Sequence, residues 1–402
     1  MPSLRELPSE VRALIAVAFM VALGYGVVAP ALPLFARQFG VSRTAAGAVI
    51  SAFALMRLVT APFVGGLVNA AGERVMLATG IGVVAVSSLL AGLSQDYWQL
   101  LVLRGIGGVG SIMFSVSAAS ILIRVTPSHL RGRAQGAWAG AFLLGMIAGP
   151  AVGTVATISL RAPFFLYAGT LAVAGTLAMT TLRHSRFAAK QATRTAALPL
   201  RTALRSNAYL AVLAASFGGD WAVVGARTAI VPQFVTDRLG LGAGWVYAAF
   251  LVVSIVSGAL LLPFGRVADT HGRRPVIIGG LLSGAIGFLI LPTIPMIGGL
   301  ILAMALLGVA GAADSVAPGA MMGDVVAGRG GTVVAVFQMS GDLGAVIGPI
   351  AAGWIADWQG YAASFVVSAA ICAAPIPVVL AARETLASTS PEQIDADIAD
   401  VS

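Results

Sequence analysis

Charge is what this chain most lacks. Only 10% of its 402 residues are charged and 58% are hydrophobic, with a mean hydropathy of +0.94, whereas a soluble domain carries about 25% charged residues. That excludes an ordinary water-soluble fold. Lysine is nearly missing too, Lys190 being the one example. Its surroundings, "RFAAKQA", do not fit the phosphate-binding pattern G-x-x-x-x-G-K-[ST], which excludes ATP hydrolysis by that route. Uphill solute movement would then have to draw on an ion gradient. Cys372 is the single cysteine, so an internal disulfide framework or a cysteine metal cluster is excluded. The three histidines, His129, His184 and His271, lie far apart; neither a metal site nor a cofactor is expected. Paired carboxylates and a nucleophile–base arrangement are missing as well, so the chain is not read as an enzyme.

What the sequence has in abundance is long apolar runs. Each run of 18 or more residues can cross about 30 Å of hydrocarbon as a helix. Counting them predicts an all-α membrane protein with twelve helices: roughly 12–34, 44–68, 75–94, 97–123, 134–157, 163–182, 208–235, 243–265, 275–293, 296–322, 332–355 and 361–382. The first is too long for a signal-peptide core and is read as a retained helix. Residues 1–182 are expected to form one six-helix bundle and 208–383 a second, with 183–207 a basic cytoplasmic linker between them. The acidic tail, 384–402, is expected to be disordered.

Arginine and lysine set the orientation. With both termini in the cytoplasm, 17 basic residues fall inside, six of them in the central linker. Four fall outside: Arg37, Arg43, Arg161 and Arg238. The remaining three, Arg57, Arg104 and Arg227, lie within helices. Topology therefore accounts for the net charge of +8, and nucleic acid is not an expected partner. The setting is the inner (plasma) membrane, crossed many times, with the chain acting as a monomer.

The two bundles repeat one another. "PLFARQFG" at Pro33 answers "PQFVTDRLG" at Pro232; "GGLVNAAGERV" at Gly65 answers "GRVADTHGRRP" at Gly265; the Gly-Pro pairs of "GMIAGPAVG" and "GAVIGPIAAG" align; and "RGRA" at 131 answers "RGGT" at 329. The offsets run from about 198 to 200 residues throughout. A six-helix unit duplicated in parallel suits a transporter that alternates access between two rocking halves.

With these motifs the whole chain apart from its tail resembles the major facilitator superfamily, and within it the twelve-helix drug:proton antiporters. The loop signature G-x-[LV]-A-D-x-x-G-R-R stands intact at Gly265, Asp269, Gly272, Arg273 and Arg274. The resemblance implies that the aspartate latches onto a neighbouring helix N-terminus, where a carboxylate is stabilised. The first copy keeps Gly65, Gly72 and Arg74 but has Asn69 where the aspartate belongs. "LVLRGIGGVGS" is similar to the family's fourth-helix pattern and puts Arg104 in the bilayer, implying a role in tuning a carboxylate's proton affinity. Gly136, Gly145, Gly149, Pro150 and Gly153 reproduce the pattern associated with exporters. Spaced every four residues, the last three glycines allow close helix approach, expected here to seal the bundles against each other. "LGYGVVAPALP" resembles the first-helix signature of the same antiporters, without the acid that several members place there.

Three carboxylates lie at membrane depth, Asp220, Asp314 and Asp342, against Arg57, Arg104 and Arg227. The balance favours pairing, with Asp220 and Arg227 two turns apart along one helical face. Burial favours a neutral carboxyl and a nearby guanidinium an ionised one, so such a group can carry a proton or sit in a static ion pair. Asp220 ranks first for proton coupling, then Asp314 and Asp342. By analogy with the family, Tyr25, Phe114, Phe217 and Trp221, with Phe142 from the fifth helix, are expected to line the substrate cavity. The expected function is proton-coupled efflux of small amphiphilic compounds, such as drugs or secondary metabolites; the alternative is a facilitator or proton symporter importing a sugar or organic acid.

Overall fold

The computed structural model describes residues 7–126, 130–181, 200–326 and 332–385. Most of the expected central linker and almost all of the expected tail lie outside the described residues. Within a bilayer every backbone polar group must be satisfied inside the protein, which favours helices throughout. The spans are α1 (Ser9–Val28), α2 (Arg43–Ala71), α3 (Glu73–Leu93), α4 (Tyr97–Val125), α5 (Arg131–Val152), α6 (Ala162–Thr181), α7 (Asn207–Asp237), α8 (Ala243–His271), α9 (Arg273–Thr293) and α10 (Ile297–Val326). Eleven segments are long and apolar enough to cross a membrane. The last of them breaks at Gly360, where φ is 84°, giving α11 (332–359) and α12 (361–373). Twelve spans result.

Two expected helices are subdivided. The first ends at Val28, turns through residues 29–31 and restarts as the short helix Leu32–Arg37. The fifth relaxes after Val152 into a 3-10 stretch, Gly153–Thr157. Local signals explain several starts: the Ser42 hydroxyl accepts from Ala45 N at 3.2 Å to cap α2, and Asp96 accepts from Gln99 N at 2.9 Å to cap α4.

The duplication is visible in paired contacts. Gly26 of α1 meets Gly149 of α5; 199 residues on, Gly225 of α7 meets Gly348 of α11. A Cβ added to Gly26 or Gly225 would stand 3.1 or 3.0 Å from the opposing Cα, so each crossing depends on two glycines. The tight loops at Gly72 and Gly272 repeat as well, with φ of 86° and 109°, a region open to glycine at little cost.

Between the bundles, α2 packs on α11 and α5 on α8, and the contacts concentrate at one end. Gly353 lies against the Arg43 carbonyl, and Ser51 Oγ donates to Val346 O at 2.6 Å. Asp357 of α11 accepts from Arg43 N, Thr44 N and Thr44 Oγ1 at 3.0, 2.8 and 2.6 Å, so one bundle caps a helix of the other. Arg43 also donates to the Tyr361 hydroxyl at 2.8 Å, which donates to Asp237 at 2.6 Å. Trp98, Trp354 and Trp358 are exposed near this end, as aromatic residues at a membrane interface are. Further toward the basic loops, Gly66, Gly136 and Gly140 meet no atom within 4 Å of where a Cβ would stand. The cleft between the bundles is closed at one end and widens toward the other.

Candidate functional site

The structure brings Asp220, Asp314, Asp342, Arg57 and Arg227 into one electrostatic neighbourhood at mid-depth. Asp220 interacts with Asp342 and Asp314, Asp314 with Arg227, and Asp342 with Arg57. Tyr25 of α1 adds a bridge between the bundles, acting on both Arg104 and Arg227.

The expected pairing is corrected. Among the described residues no ion pair within 4.0 Å joins any of these three arginines to any of these three aspartates. Two features explain it. First, residues Trp221–Ala226 form a π-helical segment, whose wider turns shift the register between Asp220 and Arg227 away from two stacked α turns. Second, the arginines rest on aromatic rings: Arg104 lies 4.5 Å from the centre of the Phe53 ring and Arg227 5.7 Å from that of Phe250. Arg104 is 3% exposed, and its Nε, like Nε and Nη1 of Arg227, has no hydrogen-bond partner. Arg57 donates to Ser111 Oγ at 2.6 Å.

The aspartates owe their positions to glycines. Any Cβ on Gly219 would collide with the Asp314 carboxylate, and any Cβ on Gly341 with the Asp220 carboxylate. Asp314 faces a narrow crevice of about 290 Å³ between α7, α9, α10 and α12, whose lining includes Gly219, Gly280 and Cys372 and no other charged residue. A carboxyl in such apolar walls exchanges a proton without rearranging a fixed salt bridge.

The expected aromatic lining divides. Tyr25, Phe142 and Phe217 are half-buried, whereas Phe114 and Trp221 are only 4% and 3% exposed and belong to the packed interior. The exporter-type glycines divide too. Gly145 and Gly149 pack on α1 inside their own bundle, so that part of the expected inter-bundle seal is corrected; the spacing showed close approach but not the partner. Gly153 does reach across, forming a socket that the Tyr247 ring of α8 fills. The Tyr247 hydroxyl donates to Val27 O at 2.7 Å. Gly136 meets no neighbour, and Pro150 sits inside α5.

In the second loop signature, Asp269 pairs with Arg273 of the same loop. The N-terminus of α9 is capped instead by Glu384, which accepts from Arg273 N and Arg274 N at 2.9 and 3.1 Å. Arg274 Nε donates to Val379 O at 3.0 Å. The expected latch onto the neighbouring bundle is thus replaced here by contacts within the second bundle, and residue 384, expected in a disordered tail, is a structural cap. In the first copy Gly72 and Arg74 stand at the equivalent turn, while the side-chain surroundings of Gly65 and Asn69 lie outside what is described.

A family model described as Major Facilitator Superfamily matches residues 14–260 and again 226–396. The chain belongs to that superfamily. It is accordingly a multi-pass membrane transporter and not an enzyme. Among curated relatives it is 29% identical over 167 residues to the quinolone resistance protein NorA of Staphylococcus aureus strain MRSA252, an alignment spanning 41% of this chain and 43% of that protein. It is 30% identical over 166 residues to multidrug resistance protein 1 of Bacillus subtilis strain 168, again 41% of this chain and 43% of the relative. The chain thus spans less than half the length of these curated relatives. Among solved structures it is similar to an inward-facing bacterial homolog of the human lysosomal transporter Spinster, with a TM-score of 0.75, 14% identity and 92% and 95% of the two chains covered. It is also similar to the nucleoside transporter NupG, with a TM-score of 0.74, 13% identity and 93% and 99% covered. These likenesses concern the fold.

Proposed function

We propose that this transporter exports small amphiphilic molecules in exchange for protons. The observation that carries the reading is the set of mid-depth carboxylates without fixed ion-pair partners, Asp220 and Asp314 foremost, each seated against a glycine at the heart of the second bundle. A carboxyl locked in a salt bridge holds its charge; one in an apolar crevice gains or loses a proton as the cleft opens to either side. The names of the curated relatives, a quinolone resistance protein and a multidrug resistance protein, favour efflux over nutrient import, and the half-buried Tyr25, Phe142 and Phe217 suit an amphiphile. One proton entering down about 150 mV supplies about 3.5 kcal/mol, enough for roughly a 300-fold gradient.

The excess of basic residues in alternate loops places both termini in the cytoplasm. The Tyr247 and Asp357 contacts then close the outer face, and the cleft opens inward. The protein works as a monomer, its cleft being assembled from one chain.

The test uses everted membrane vesicles energised by respiration, with a pH-sensitive dye reporting the gradient as cationic, neutral and anionic amphiphiles are added. Wild type is expected to release the gradient with at least one class. Asp220→Asn and Asp314→Asn are expected to lower that response by about 100-fold, in line with losing a required proton carrier. No response from wild type, together with saturable nutrient uptake by cells, overturns efflux in favour of import.

A further inference from the structure

The six mid-depth charges are unevenly shared. Among the described residues α1–α6 bring Arg57 and Arg104 to this level and no carboxylate, while α7–α12 bring three aspartates and Arg227. One wall of the cleft is positive and the other predominantly negative. Arg57 and Asp342 stand closest to that divide. They belong to α2 and α11, the helices that meet across the bundles. Gly47 lies beside Pro349 and Ser51 bonds Val346. Asp342 follows one turn beyond Val346, on the same stripe of α11, and Arg57 lies under two turns beyond Ser51. The two charges face each other where the bundles begin to part.

They act on each other electrostatically yet form no ion pair within 4.0 Å. Both are half-buried. Arg57 has only the neutral Ser111 hydroxyl as hydrogen-bond partner, and Asp342 accepts no hydrogen bond from any described residue. An unpaired guanidinium at membrane depth is costly, and no carboxylate of its own bundle lies within reach. Arg104 behind it adds to the positive field, 3% exposed with Nε unpartnered. A gap bounded by a planar donor on one side and a carboxylate on the other fits a molecule that carries both complementary charges.

Resting on the transporter reading above, we propose that the cleft selects zwitterionic amphiphiles, with the anionic group held at Arg57 and the cationic group at Asp342. Asp220 and Asp314, deeper in the second bundle, are left for the proton. A purely cationic molecule leaves Arg57 without a counter-ion as the cleft closes; a purely anionic one leaves Asp342 so. Arg57 and Asp342 are specificity-determining residues in this account.

The test is equilibrium binding to the purified full-length protein in detergent, with no gradient applied. One scaffold serves in four forms: 6-(aminomethyl)naphthalene-2-carboxylic acid, its methyl ester, its N-acetyl derivative, and the doubly masked neutral compound. Wild type is expected to bind the zwitterion at least about 10-fold tighter than the ester or the N-acetyl form, which is about 1.4 kcal/mol. Arg57→Gln is expected to abolish the preference over the ester, and Asp342→Asn the preference over the N-acetyl form. Arg57→Lys, which keeps the charge, retains part of the preference, whereas a purely structural role would not follow charge; unchanged thermal unfolding confirms that each variant is folded. Equal binding of zwitterion and ester by wild type, unchanged ratios in both variants, or no binding of any form overturns the proposal. Because binding needs no gradient, its failure is distinguishable from failure of proton exchange in vesicles.

Discussion

The two bundles follow one backbone path and place charge on it in opposite ways. At the loop end of the first, Glu73 pairs with Arg124 at 3.0 Å; at the same two positions 200 residues on, Arg273 pairs with Asp324 at 3.3 Å. The brace is kept and its sign reversed. At mid-depth Arg104 is answered by Met304, and Phe114 by Asp314. The scaffold therefore depends on where helices cross, through Gly26 on Gly149 and Gly225 on Gly348, and tolerates exchange of the charges it carries. An asymmetric charge distribution on a symmetric frame is what a coupled transporter needs: a proton site in one half and a substrate contact shared by both.

The largest expected effect breaks the symmetric part. Gly149→Leu and Gly348→Leu each drive a side chain into the opposing α1 or α7 backbone. Both are expected to destabilise by about 3 kcal/mol or more, read as a lowered unfolding temperature in detergent. Similar losses in the two variants support equivalent crossings; a drop in only one sets the bundles apart.

Next in size is Tyr247→Phe. It leaves the Val27 carbonyl unpaired between bundles, about 1–3 kcal/mol of desolvation penalty, and is expected to loosen the closed end. Spin labels at residues 158 and 245 should then show a longer-distance population; an unchanged distance distribution counts against this bolt. Smaller again is the loop brace. Arg273→Glu sets two acids side by side and is expected to cost about 1 kcal/mol for so exposed a pair, while the exchange Arg273→Glu with Asp324→Arg restores it by copying the first bundle. Urea or thermal titration of both variants checks the difference.

Much of the frame was legible in the sequence, because membrane spans follow from apolar length and the repeat follows from matched landmarks. The six mid-depth charges were legible for a similar reason: an ionisable residue within an apolar run stands out. Their pairing was not. Whether Asp220 reaches Arg227 depends on the π segment at 221–226, and no residue type in "WAVVGA" announces it. The partner of Gly149 was hidden for another reason: a glycine stripe shows that something approaches closely, not which helix. Tyr247 in the Gly153 socket and Glu384 on the α9 N-terminus are contacts between residues 94 and 111 positions apart, joined only once the helices are placed. A carboxylate closely following the last apolar run was the one signal for Glu384.

The most direct measurement is proton release by the purified protein in weakly buffered solution as cationic, neutral and anionic amphiphiles are added. The account predicts release from wild type with at least one class, and none from the Asp220→Asn/Asp314→Asn double variant, while Phe114→Leu, at the position equivalent to Asp314 in the first bundle, still releases. Release that persists undiminished in the double variant would contradict it and remove the proton site from the second bundle.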